Sequence, residues 1–284
     1  MTIAETQRSL AVLGEDRYLG FGQVTWPLRP QGLRQTVVIP TYNERDNVGE
    51  LLARLAHVLP ASITEIIFVD DSTDDTPEVI RAAARQCPIP VTVHHRDKPI
   101  GGLGGAVVEG FRMASGSWVV VMDGDLQHPP EVVPQLVADG IRDGADVVVA
   151  SRYAEGGNRS GLSDGYRRFV SACSTFATKL FFRTALTQIS DPMSGFFAVR
   201  RSSLDTEELR PLGYKILLEL VVRNRPGRVV EVPYTFQPRY AGESKSTMRE
   251  GLRFLRHLAV LRAGDTRLRL CRPAASQTHA LEAA

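Results

Sequence analysis

The sequence is poor in cysteine. Its three, Cys87, Cys173 and Cys271, are odd in number and widely spaced among 284 residues, which excludes both a disulfide framework and a zinc knuckle and makes a reducing cytosol the simplest expectation. Long apolar runs are missing too, since no stretch approaches the ~18 residues that a membrane span needs. The N-terminus lacks the basic, apolar, small-residue order of a signal peptide. The chain is therefore expected to be cytoplasmic, either soluble or peripheral at the cytoplasmic face of a membrane. Nor is there an excess of either charge: 34 basic against 32 acidic residues leave a net charge of +2. No global field then favours nucleic acid, and no nucleic-acid partner is expected. No internal repeat is found.

What is present has the balance of a globular protein, 43% hydrophobic and 23% charged, with enough length for a substantial core. Residues 1–34 show no sustained periodicity and end in a stretch punctuated by Pro27, Pro30 and Gly32, which reads as an N-terminal extension. From Thr36 onward, short β-branched runs alternate with helical patterns. Strands are expected at Thr36–Ile39, Glu65–Val69, Val91–His94, Trp118–Met122 and Asp146–Ala150, and helices at Val48–Val58, Pro77–Arg85, after Gly105 and at Pro130–Arg142. Runs apolar on both faces imply a mostly parallel sheet covered by helices, an α/β fold. After Ser151 come a glycine-rich loop from Glu155 to Gly165, a long helix up to about Phe182 and shorter elements ending near Tyr240. One domain over 35–247, followed by a basic helix and polar tail over 248–284, completes the expected organisation.

Ligands of open α/β sheets sit at the carboxyl ends of the strands, and three such ends carry unusual residues. After the first comes Pro40-Thr41-Tyr42-Asn43-Glu44, for which a helix cap is the bland explanation. After the second comes Asp70-Asp71-Ser72-Thr73-Asp74-Asp75. Capping explains Asp74 or Asp75 but not Asp70 and Asp71, whose carboxylates incur desolvation unless something hydrogen-bonds them; a base or ribose is one such partner. After the fourth comes Asp123-Gly124-Asp125-Leu126-Gln127-His128. Two carboxylates around a tight glycine turn suit a hard cation, Mg²⁺ or Mn²⁺, that shares its shell with phosphate oxygens. Alone, the triplet would be a solvated turn; its place after an apolar strand favours a metal clamp. The cluster Gly101, Gly102, Gly104, Gly105 matches neither the dinucleotide fingerprint nor the P-loop. Its glycines, with Arg96 and Lys98 upstream, either admit a diphosphate or form a flexible turn. His94, His95 and His128 read as structural.

Taken in order, these blocks resemble family 2 glycosyltransferases. Ser151-Arg152-Tyr153, Asp191-Pro192-Met193-Ser194-Gly195-Phe196-Phe197, Gly213-Tyr214-Lys215-Ile216-Leu217-Leu218-Glu219, and Pro233, Tyr234, Phe236, Arg239, Gly242, Glu243, Ser244 and Lys245 are similar to the polyprenol-phosphate mannose synthase branch. The resemblance covers roughly residues 36–250 and implies a nucleotide-sugar-binding fold of the GT-A type. It implies a nucleoside pocket lined by Pro40, Tyr42, Glu44 and Asp70, joined on the substrate side by Asp71 and Arg96. It also implies Asp123, Asp125 and Gln127 around the metal and diphosphate, Arg239, Ser244 and Lys245 on the donor phosphates, and Arg152 and Arg168 on the acceptor phosphate.

The implied reaction is inverting, metal-dependent transfer of a hexose, mannose from GDP-mannose, to a polyprenyl or dolichyl phosphate, with Asp125, Arg152 and Asp191 at its centre. A phosphate monoester is already an anion near neutral pH and needs no general base. A hydroxyl acceptor on a small molecule or glycan, the first alternative, would need one, and Asp191 or Glu219 is the candidate. A non-catalytic nucleotide-sugar-binding protein is the second alternative. Many members of the branch carry membrane helices after the catalytic domain. Here Leu252, Leu255, Leu258 and Ala259 form one helical face flanked by Arg249, Arg253, Arg256 and Arg262, which suits either a membrane surface or membrane-protein partner, or packing on its own domain.

Overall fold

The computed structural model describes residues 34–158, 178, 181–183, 185–241, 254 and 256–263. Seven strands form one mixed sheet: β1 (Gln35–Thr41), β2 (Thr64–Asp70), β3 (Val91–His95), β4 (Trp118–Val121), β5 (Val147–Ser151), β6 (Phe197–Arg200) and β7 (Val229–Pro233). Their order is β3-β2-β1-β4-β6-β5-β7. Only β6 runs antiparallel to its neighbours β4 and β5; the pairs β1–β2, β1–β4, β2–β3 and β5–β7 are parallel. Six carboxyl ends therefore open on one edge, and β6 begins there.

Side chains alternate across the strands, so each strand feeds two apolar layers. Val37, Ile39, Ile66, Phe68, Val120 and Val148 face one layer. It is covered by α1 (Val48–Val58), α2 (Thr76–Ala84) and α4 (Val133–Arg142), which bury Leu51, Leu55, Ile80, Leu136 and Val137 in it. Val38, Val119, Val121, Val147 and Val149 face the other layer, under α3 (Gly102–Met113) and α5 (Ile216–Asn224). Burial on both sides explains why the strands read as unbroken apolar runs. Each such aliphatic side chain contributes roughly 1.5–3 kcal/mol.

The differences from expectation have local causes. The helix expected from Pro130 begins as a 3₁₀ turn, Pro130–Val132, before α4. The helix expected after Gly105 begins at Gly102, because Gly101 takes a left-handed conformation (φ 79°) at its N-cap. The next glycines serve close packing: a Cβ on Gly104 would stand 2.5 Å from the Gly213 carbonyl oxygen, and one on Gly105 2.0 Å from that of Ile100. The segment β6 is inserted between β4 and β5, an antiparallel pairing that the parallel pattern did not announce. Most of the long helix expected before Phe182 lies outside the described residues.

In the C-terminal segment, residues 254 and 256–263 are helical. Phe254, His257, Leu258 and Leu261 are buried there, and the three apolar ones join the second apolar layer, while Ala259 is exposed. Leu258 thus faces its own domain. The side chains of Leu252 and Leu255 lie outside the described residues. Among the described residues, no helix is long and apolar enough to cross a membrane.

Packing between α3 and β1 leaves no room at Gly110, where a Cβ would come within 2.3 Å of Val38 Cγ1. Gly110→Val is expected to cost about 1–3 kcal/mol through overpacking, read as a lower midpoint in denaturant unfolding. An unchanged midpoint would show that the two elements can move apart freely.

Candidate active site

The sheet register places Thr41, Asp70 and His95 side by side at the ends of β1, β2 and β3. Asp70 is completely buried and is held by four donors. Its Oδ1 accepts from Thr41 Oγ1 (2.7 Å) and Ser72 Oγ (2.6 Å), and its Oδ2 accepts from Ser72 N (3.1 Å) and pairs with His95 Nδ1 (2.7 Å). A carboxylate has about four lone-pair sites. Asp70, expected to line a nucleoside pocket, thus accepts from four groups of the protein and ties three strand ends together. Asp71 is clamped by Arg96 through two bonds of 2.7 and 2.6 Å, and the same guanidinium donates to the Ile100 (3.1 Å) and Gly102 (2.9 Å) carbonyls. Arg96, expected to meet a diphosphate, therefore holds the glycine turn against the sheet. Pro40 is buried in β1 opposite Val69, while Tyr42 stands 48% exposed beyond its end.

The residues after β4 turn sharply, with Leu126 in the left-handed region (φ 63°). Asp125 is buried; its Oδ1 accepts the Gln127 N–H (3.0 Å) and its Oδ2 meets the Arg239 guanidinium (2.7 Å). Arg239 also reaches Glu44 Oε1 (3.2 Å), whose other oxygen accepts from Asn47 Nδ2 (2.5 Å). One arginine from beyond β7 thereby joins the turn after β1 to the turn after β4. Gln127 donates its amide to the Gln237 carbonyl (3.2 Å), which leaves the side-chain oxygen as its acceptor. Burial and the charge of Asp123 both push Asp125 upward in pKa, and Arg239 works against them.

Asp123 differs from its neighbours. Among the described residues no donor bonds its carboxylate, and burial raises its pKa to about 6 against the pull of Lys215 and Arg239. Its backbone N–H donates to His128 Nδ1 (3.0 Å). That ring nitrogen is then an acceptor, so His128 is neutral, and burial lowers its pKa to about 4. His128 stacks on Phe196 with centroids 5.1 Å apart. Gly195, at the approach to β6, keeps the space before Asp123 open: a Cβ there would lie 3.3 Å from Asp123 Oδ2.

On the far side, Arg152 at the end of β5 grips the fully buried Asp191 with Nε (2.7 Å) and NH2 (2.9 Å). Its guanidinium lies over the Phe236 ring at 5.6 Å. Burial disfavours the Arg152 charge, but Asp191 more than offsets that. Lys215, at the N-cap of α5, donates to the Met193 carbonyl (3.1 Å). Burial, with Arg152 next, lowers its pKa to about 8, while Asp191 and Asp123 oppose the shift. Glu219 is elsewhere: it is completely buried and accepts from the Arg210 backbone N–H, Arg223 Nε (2.9 Å) and His257 Nε2 (3.0 Å), tying α5 to the C-terminal helix. As a candidate general base it has no free oxygen to offer.

The structure thus gathers Glu44, Asp123, Asp125, Gln127, Arg239, Arg152 and Asp191 at one sheet edge, with Asp70, Asp71 and Arg96 beside them. Arg168, Ser244 and Lys245 lie outside the described residues. Lys215 and Asn47 were not among the expected site residues. Lys215 had a visible signal, a lone cation inside the Gly213–Glu219 block, whereas Asn47 looked like any polar residue before a helix.

A mostly parallel sheet with an acidic turn after its fourth strand and cations converging from the following loops defines a GT-A-type glycosyltransferase. The chain belongs to glycosyl transferase family 2, whose family model matches residues 36–207. It is 40% identical over 227 residues to the dolichol-phosphate mannosyltransferase of Pyrococcus furiosus, covering 80% of this chain and 63% of that protein. It thus spans less than two thirds of that relative's length. It is 36% identical to the dolichol-phosphate mannosyltransferase of Saccharomyces cerevisiae (81% and 87% covered). Against the polyprenol monophosphomannose synthase of Mycolicibacterium smegmatis the identity is 35% (86% and 92% covered). Among solved structures, glucosyl-3-phosphoglycerate synthase of Mycobacterium tuberculosis, crystallised with Mn²⁺, UDP-glucose and glycerol 3-phosphate, superposes with a TM-score of 0.63 at 22% identity, covering 86% of this chain and 83% of that one. At that identity the likeness shows the shared fold.

Two stability outcomes follow from the charge pairs. Asp191→Ala strands a buried guanidinium and is expected to cost about 3–5 kcal/mol in denaturant unfolding, with Arg152→Met/Asp191→Leu recovering most of it. Lys215 behaves in the opposite sense. Its lowered folded pKa means that the fold disfavours the charge, a penalty fully present below pH 8 and fading as pH rises toward the unfolded value. Lys215→Met should therefore raise the melting temperature at pH 7, and its advantage over wild type should shrink above pH 8.

Proposed function

We propose that the chain transfers mannose from GDP-mannose to the phosphate of a polyprenyl or dolichyl lipid, with inversion at the anomeric carbon, at the cytoplasmic face of a membrane. The observation that carries this reading is the state of the carboxylates. Asp70, Asp71, Asp125, Asp191 and Glu219 are each claimed by donors of the protein, and Glu44 by Arg239 and Asn47. Glu231 Oε1 accepts two backbone N–H groups, those of Ser190 and Asp191. Of the carboxylates that the strand-end turns and the Asp191 loop bring to this sheet edge, Asp123 is the one without a donor, which leaves little provision for a general base. A phosphate acceptor requires no such base. The names of the relatives at 35–40% identity support the same acceptor and sugar.

Asp123 is better suited to a cation. Its side chain is partly exposed, has no donor among the described residues and has a neighbouring carboxylate two residues on, yet no described group of three or more His, Cys, Asp or Glu forms a full cage. That donor set fits Mg²⁺ or Mn²⁺, which take one or two carboxylates plus substrate oxygens, and Asp123, Asp125 and the Gln127 amide oxygen would hold it. A bound cation supplies charge compensation for a departing diphosphate. The protein's own part is alignment: Arg239 locks Asp125 and Glu44 on the donor side, while Arg152, fixed by Asp191, presents charge on the other. A hydroxyl acceptor is the reading that the claimed Asp191 and Glu219 disfavour.

The test incubates the protein with Mn²⁺ or Mg²⁺, radiolabelled GDP-mannose or UDP-glucose, and a short polyprenyl phosphate. Label should move from GDP-mannose into solvent-extractable lipid, and Asp125→Ala should abolish the transfer. Label confined to water-soluble products would overturn the acceptor assignment, and activity intact in Asp125→Ala would overturn the metal role. A second outcome concerns pH. The metal needs Asp123 ionised, so Mn²⁺ affinity measured by electron paramagnetic resonance should be flat above pH 6 and fall about tenfold per unit below it. In Asp123→Asn it should be weak and lack that dependence.

A further inference from the structure

The transfer site carries three described cations, and two have carboxylate partners. Arg239 is shared by Glu44 and Asp125 at 3.2 and 2.7 Å, and Arg152 is held by Asp191 at 2.7 Å. Lys215 is the exception: its ammonium donates to the Met193 carbonyl at 3.1 Å and lies 4.5 Å from the Tyr214 ring centroid. No described carboxylate pairs with it. An ammonium has three donors, and a carbonyl and a ring face leave it short of both charge and acceptors. Lys215 is half-buried, and partly desolvating a cation beside no anion brings no stability, so its place needs another explanation.

Its surroundings say what would complete it. The charges that act on Lys215 are those of Arg152, Asp191 and Asp123, whereas Asp125 responds to Asp123 and Arg239. The geometry agrees: Lys215 holds the loop at Met193, two residues after the Asp191 that Arg152 grips and two before the Gly195 that stands at Asp123, whereas Arg239 with Asp125 and Glu44 forms a separate group.

We infer that Lys215 binds a phosphate oxygen of the acceptor, forming with Arg152 a two-cation cradle opposite the donor side of Asp123. The inference rests on the proposed phosphate acceptor. Arg152 shares its charge with Asp191, so Lys215 supplies the larger part of the compensation for the added negative charge. Lys215 is a positioning and charge-compensating group. Nothing in its surroundings lets it exchange a proton with an acceptor that carries none.

The experiment compares wild type, Lys215→Met and Lys215→Arg in the full chain. It measures binding of farnesyl phosphate, a short prenyl phosphate monoester, in the presence of GDP and Mn²⁺, and in parallel the binding of GDP with Mn²⁺ alone and the transfer kinetics. Loss of a charge-assisted hydrogen bond corresponds to roughly 10- to 100-fold. Lys215→Met should weaken farnesyl phosphate binding and raise the acceptor KM by about that factor, with GDP affinity within about twofold of wild type. Lys215→Arg should restore most of the loss, which a purely structural lysine would not require. Equal farnesyl phosphate affinity in wild type and Lys215→Met overturns the inference. So does weakening confined to GDP, which would assign Lys215 to the donor diphosphate. Should wild type bind farnesyl phosphate but transfer nothing to a polyprenyl phosphate, the proposed function fails while the Lys215 comparison still decides the anion site. If Lys215→Met does not fold, Lys215→Arg and Lys215→Gln carry the same comparison.

Discussion

Ionised carboxylates at the end of a buried sheet must find donors, and the organisation of this site follows from how each one does. Taking such a group out of water costs several kcal/mol unless hydrogen bonds and opposite charge return it. Asp70 recruits Thr41, Ser72 and His95 from three strand ends; Asp71 recruits Arg96; Asp125 recruits Arg239 and a backbone N–H; Asp191 recruits Arg152. Each solution also ties together segments distant in sequence. The strand ends that would otherwise splay are held by the acids that destabilise them when unpaired.

The same constraint separates framework from machinery. A carboxylate whose lone pairs are all filled by the protein, as in Asp70, positions its neighbours, and one left with none filled, as in Asp123, or with only two, as in Asp125, has capacity to meet something else. Asp123, with its pKa raised to about 6 by burial, and Lys215, with its pKa lowered to about 8, are the two charged groups here that the protein leaves incompletely answered. They carry opposite signs and meet the same short loop, Lys215 at the Met193 carbonyl and Asp123 at Gly195, and each is the kind of charge that a cation or a phosphate would complete. Perturbed groups gathered in this way mark functional sites more often than structural ones.

Much of the frame was legible because its signal is local. Strands β1, β2 and β4 read as apolar runs since both faces are covered, and Asp123-Gly124-Asp125 stood out because its place after such a run made a metal clamp a better reading than a solvated turn. The partners were not legible. Nothing in Asp70 or Asp71 says that Ser72 and His95, or Arg96, will consume them, since that depends on the register Thr41–Asp70–His95 across strands far apart in sequence. Glu219 was a candidate general base on its residue type, yet it is buried and bonded to His257 of the C-terminal helix. The insertion of β6 was hidden for a related reason: four residues with one antiparallel partner on each side carry no periodicity that distinguishes them from a parallel strand.

That insertion is what makes the site two-sided. Were β5 to pair directly with β4, the loop carrying Asp191 and Gly195 would have no reason to cross the sheet edge between them. With β6 in place, Val121 and Val149 both pair with Phe197, and the residues just before β6 are delivered to the gap between the acidic turn and Arg152. Asp191 then meets Arg152, the Met193 carbonyl meets Lys215, and Gly195 stands at Asp123. One antiparallel strand thus brings the second group of charges to the sheet edge that carries the first, an arrangement in keeping with the proposed transfer between two anions.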